Sequence, residues 1–119
     1  MGALDLIRSK GGGAKLSVEQ VVFGRDAAGV QTRDWGPAGS PVDCWVQPAG
    51  AQIVLAYASR NLRITNRIFI AEDIGAVKEG WRLRVEKGGV VKHYLIRGGP
   101  LDEAGLGRVW SFDADEVQG

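Results

Sequence analysis

The chain has 119 residues and a mass of 12.7 kDa, which is one domain's worth and enough to bury a self-sufficient core. Hydrophobic (45%) and charged (24%) fractions are ordinary, whereas 18 glycines are about twice the average usage. One cysteine and one histidine exclude an internal disulfide framework, a cysteine-based zinc site and a multi-histidine metal centre.

Residues 1–14 hold Ala3, Leu4, Leu6 and Ile7, enough for one or two helical turns, followed by Gly11-Gly12-Gly13. A run of three glycines suits a tether, so this stretch is expected to be a flexible N-terminal arm ahead of a single β domain over 15–119. From Lys15 onward the pattern is of short strands separated by turns. Leu16 to Arg25 is the first, with a change of alternation near Glu19-Gln20 that suggests a bulge. Asp26-Ala27-Ala28-Gly29 is a turn, Val30 to Trp35 a polar edge strand, and Gly36 to Pro41 a loop. Val42 to Gln47 places Val42, Cys44 and Val46 on one face.

Ala51 to Ser59 lacks period-2 alternation; Ile53, Val54, Tyr57 and Ala58 fit a two-turn helix, with Asn61 suited to cap it. Arg63 to Ala71 puts Ile64, Ile68 and Ile70 on one face and Arg63, Thr65 and Arg67 on the other. Trp81, Leu83 and Val85 alternate with Arg82, Arg84 and Glu86, and Gly88-Gly89 reads as a two-residue hairpin turn into Val90 to Arg97. Gly98-Gly99-Pro100 is expected to break that strand. Arg108 to Val117 closes the series, with Trp110, Phe112 and Ala114 inward. The expectation is an all-β fold: a small β-barrel or sandwich of about six to seven antiparallel strands with one short inserted helix.

No constellation for catalysis is evident. His93 lies in a strand with nothing tying it to a nucleophile, and Cys44 reads as a buried, inert thiol. Adjacent carboxylates such as Asp102-Glu103 point to opposite faces of a strand and suit shared acid–base work poorly. The expectation is a protein that is not an enzyme and carries no cofactor or metal. No apolar run is long enough to span a membrane, and residues 1–15 lack a signal-peptide core. Charge is distributed unevenly. Residues 60–97 carry nine basic and four acidic side chains, while residues 98–119 carry only Arg108 against five acidic ones. Arginines and lysines from Arg60 to Arg97, with Phe69, Trp81 and Tyr94 among them, leave a small nucleic-acid-binding barrel of the oligonucleotide-binding type as an alternative.

Three stretches in fixed order carry a resemblance. They are Asp43-Cys44-Trp45-Val46-Gln47-Pro48; Arg63 to Asp73 followed by Gly80; and Tyr94-Leu95-Ile96-Arg97-Gly98-Gly99 with Asp102, Ala104 to Arg108, Trp110 and Asp113. Phe23 to Gly29, Thr32 to Trp35 and Gly80-Trp81-Arg82-Leu83 extend the match, although Trp81 stands where the pattern has Asp and Asn66 where His is commoner. Together they resemble the head-tail joining (head-closure, stopper) proteins of tailed bacteriophages, from about Val21 to Val117.

The resemblance implies a structural virion component made in the bacterial host cytoplasm and located at the head-tail interface. Such a protein adds to the portal–adaptor complex, self-associates into a ring, closes the DNA-filled head and offers a docking surface to tail-end proteins. Contact with packaged DNA would be transient, and no membrane is involved. A tail-terminator-like phage component is a further alternative. On this reading Gln52, Ile53, Val54, Leu55 and Tyr57 are the candidate channel or subunit-interface residues. Arg60, Arg63 and Arg67 are the candidate DNA-facing residues. The basic middle and acidic tail are candidate complementary patches between subunits.

Overall fold

The computed structural model describes residues 2–75, 77 and 81–118. Gly80, part of the motif above, lies outside them, as do Lys78 and Glu79 of the basic stretch. The element order is α1 (Ala3–Gly11), β1 (Lys15–Arg25), β2 (Gln31–Pro37), β3 (Val42–Pro48), α2 (Ala51–Ala58), β4 (Asn66–Ile70), β5 (Arg82–Lys87), β6 (Val90–Asp102) and β7 (Trp110–Val117). All strand pairs are antiparallel, in the order β2-β1-β3-β4-β7-β6-β5, and β1 also pairs with β5. The sheet therefore closes on itself through six strands, and β2 hangs from β1 outside the closure. The fold is all-β, as the alternation predicts.

Inward faces follow the sequence pattern. Leu16, Val18, Cys44, Ile68, Ile70, Leu83, Val85, Tyr94, Phe112 and Ala114 are buried together inside the closed sheet. Burial pushes the Cys44 thiol up to about 12, which fits the inert reading. Gly88 and Gly89 both take positive φ (57° and 80°) between Lys87 and its partner Val90, the two-residue turn expected there. Asn61 adopts φ 59°, and the Leu62 amide donates to the Tyr57 carbonyl, closing α2 in a left-handed cap.

Three local expectations give way to tertiary structure. The alternation change in β1 is not a bulge, since its registers with β5 and β2 run without a shift. Lys15 to Glu19 pair with β5 inside the closure, and Glu19 to Arg25 pair with β2 beyond it, so the inward side loses its core. Gly98-Gly99-Pro100 does not end β6. The strand runs on to Asp102, and two register shifts against β7 absorb the irregularity.

The third change concerns residues 1–14, expected as a flexible arm. Residues 3–11 form α1, which packs against β3 with Ile7 only 2% exposed. Gly12 terminates the helix in the left-handed region (φ 62°), so it serves as a cap and not as part of a tether. Below the helix, Asp43 is buried and accepts hydrogen bonds from Lys15 Nζ and from Arg8 Nε (2.7 Å).

Those two bonds, with Lys15 the larger influence, hold the Asp43 carboxyl below its ordinary value of 3.8. A carboxylate whose folded pKa is depressed stabilises the fold above its unfolded pKa and loses that contribution as pH falls through the folded value. Asp43→Asn is therefore expected to cost about 1 kcal/mol at neutral pH, since both cations are largely exposed. The deficit should shrink as pH falls below 3.8 and vanish only beneath the depressed folded value. Urea unfolding midpoints of the two chains across that range check it; a deficit independent of pH would contradict it.

Candidate interaction surface

The β1–β2 hairpin extends beyond the closed sheet and exposes apolar groups on both faces. Strand alternation puts Val21, Phe23, Arg33 and Trp35 on one side and Val22, Gly24, Thr32 and Asp34 on the other. Phe23 is 64% exposed, Val30 60% and Val22 48%. At the hairpin base, Arg82 of β5 stacks on Trp35 (4.3 Å from the ring centroid) and donates to Glu19 Oε1 (2.9 Å). This clamp ties the hairpin stem to the closed sheet and leaves the distal half uncovered. His93 Nε2 lies 3.6 Å from Glu19 in the same cluster; burial and then the Arg82 charge lower its pKa, which keeps it neutral. The apolar exposure of this hairpin is not visible in sequence alone, because Leu16 to Arg25 reads as one continuous strand.

The second exposed element is α2. It carries no buried residue. Gln52, Val54 and Leu55 are exposed, and Ile53 and Tyr57 are half-buried. Its anchor is a hydrogen bond from the Tyr57 hydroxyl to Asp113 Oδ2 (2.7 Å), on the outer side of β7. Gly98 makes room for that anchor, since a Cβ there would lie 2.5 Å from the Tyr57 oxygen. The helix thus lies on the outside of the closed sheet and does not plug its end. The five residues named from sequence do come together on one element.

The three arginines do not form a free basic face. Arg63, in the loop before β4, donates to Asp115 Oδ1 (2.8 Å) and the Glu116 carbonyl. Arg67 donates to Asp113 Oδ1 (3.1 Å) and Glu103 Oε1 (3.3 Å). Arg60 stacks on Tyr57 (4.5 Å) and has no carboxylate partner among the described residues. Arg97 pairs with Asp115 and Lys92 with Glu116. The basic middle and the acidic tail therefore meet within one chain, across β4, β6 and β7. That replaces the expectation that they serve as complementary patches between subunits. It also explains why the outward residues Ser111 and Asp115 are buried on a strand expected to be solvated on that face.

Among the described residues, no group of acidic, histidine and cysteine side chains is arranged to hold a metal ion, and no helix is long and apolar enough to cross a membrane. These features define a small, closed antiparallel β domain with two uncovered apolar extensions. No protein-family model and no curated protein matches the chain. The solution structure of protein SF1141 from Shigella flexneri 2a is similar, with a TM-score of 0.61 at 18% identity, over 85% of this chain and 89% of that one. At that identity the likeness extends to the fold alone.

Proposed function

We propose that the chain is a structural assembly protein of the phage head-tail joining kind, working as a ring that closes the filled head and receives the tail. The observation that carries this reading is the two-sided apolar hairpin, with Phe23, Val22 and Val30 uncovered. Exposed apolar side chains held on a clamped extension suit a surface that becomes covered on assembly. The apolar helix α2 supplies a second such surface elsewhere on the chain, and ring closure needs two different surfaces per subunit. The ordered motifs that resemble head-tail joining proteins give the particular setting.

The nucleic-acid alternative draws less support, because Arg63, Arg67, Arg82, Arg84, Lys92 and Arg97 are each paired with a carboxylate of the same chain. Removing this gene from a particle-producing lysogen is the test. DNA-filled heads without tails, seen by electron microscopy, are the expected result. Empty heads or normal virions would count against the assembly role, and salt-sensitive DNA binding by the purified protein would favour the alternative.

A further inference from the structure

Below the first residue of β1 the closed sheet has an opening, and a cleft of about 340 Å³ enters it. Its walls are Ala14, Val46, Val85 and Tyr94, and its rim carries Lys10, Lys87, Lys92 and Glu116. Three observations there point to a ligand. First, the rim is cationic: Lys92 pairs with Glu116 (3.5 Å), but Lys10 and Lys87 have no carboxylate partner among the described residues. Second, the floor is apolar: Tyr94, only 2% exposed, lines it together with Ala14, Val46 and Val85. Burial pushes the Tyr94 pKa up to about 12, so the hydroxyl keeps its proton.

Third, a strand edge is open. β3 pairs with β1 only through Val42 and Asp43, while residues 44–48 pair with β4 on the other side. The Cys44 amide donates to the Ala14 carbonyl on the β1 side (3.2 Å). Main-chain groups alternate along an antiparallel strand, so the Val46 N–H and C=O face the same side as those of Cys44. Among the described residues no strand meets them there, and Val46 lines the cleft beside Lys10 and Gly11 of α1.

We propose that this cleft seats an extended, acidic segment of a partner polypeptide, added as a short strand on the Val46–Pro48 edge with a carboxylate held by Lys87 and its neighbours. Main-chain bonds to Val46 give the affinity of strand addition, apolar side chains fill the floor by Tyr94, and the lysine rim selects acidic sequence. A small anion alone satisfies the lysines but leaves the Val46 edge and the apolar floor unused. The cleft works this way whether or not the chain belongs to a particle.

The probe is an acetylated, amidated five-residue peptide alternating valine and glutamate, titrated into the labelled protein and followed by amide NMR shifts. Saturable shifts at Ala14, Val46, Val85 and Tyr94 are expected, with Kd about millimolar for so short a ligand. The Val46 amide should gain exchange protection. Lys87→Ala with Lys92→Ala should weaken binding at least fivefold, and the valine–glutamine peptide should bind the unaltered protein correspondingly less well. Any one of three results overturns the proposal. These are absence of saturable shifts, equal binding of the neutral peptide, or binding of free glutarate as tight as that of the peptide.

Discussion

Gly11→Ala is expected to lower stability by about 2–3 kcal/mol, against the usual sign for this exchange inside a helix. Alanine normally gains up to about 1 kcal/mol over glycine in a helix interior, because glycine carries the larger backbone entropy cost. Here a Cβ would sit too close to the Cys44 carbonyl oxygen, and within 3.0 Å of its carbon. Both are main-chain atoms of β3, in the middle of the closed sheet, so neither can swing aside as a side-chain tip would. The helix must move away from the sheet, and Ile7, now buried, is uncovered with it. Gly50→Ala is the matched control, since nothing lies within 4 Å of its Cβ position and its φ is −69°. It should stay within about 0.5 kcal/mol of the parent. Urea unfolding of the three chains, with amide exchange at Ile7, checks the prediction; equal midpoints for the two variants would contradict it.

Phe23→Asp is expected to leave folding nearly unchanged while lowering attachment to tailless, DNA-filled particles at least tenfold. The folding half rests on exposure: Phe23 is 64% uncovered and lies beyond the Arg82–Trp35 clamp, so little packing is lost. The assembly half rests on the proposed function. An aromatic residue at the centre of an interface commonly contributes 2 kcal/mol or more, which is about thirtyfold in affinity, and a buried carboxylate adds a desolvation cost. Co-sedimentation of purified protein with particles made without it reads the effect directly. A stable variant that attaches normally would remove the hairpin from the interface and leave α2 as the surface to test, through Leu55→Asp.

The strands were legible because side-chain alternation is a local property. Leu83 and Val85, Ile68 and Ile70, and Phe112 and Ala114 announce their inward faces within a few residues, and Gly88-Gly89 announces its turn by tolerating positive φ. The inserted helix α2 was legible for the same reason, by the failure of that alternation. Less of the candidate site could be read. The residues of α2 were found together, but Phe23 was hidden in a strand whose core side ends where its pairing partner changes from β5 to β2. Arg63 and Arg67 looked free because the carboxylates that neutralise them lie 52 and 46 positions away along the chain.

The sequence by itself determined an all-β domain, its turns, most of its inward residues and the absence of a disulfide or histidine-rich metal centre. Tertiary structure alone decided that the sheet closes through β1 and β5, that Gly11 sits against β3 as part of a packed helix, and that the two charge blocks meet within one chain. It also decided that an open edge at Val46 faces Tyr94 and the lysine rim. The physical reason is common to all four. Local pattern fixes which way a side chain points along its own strand, whereas strand partners, helix seating and ion pairs depend on pairings between residues far apart in sequence, for which a period of two carries no information.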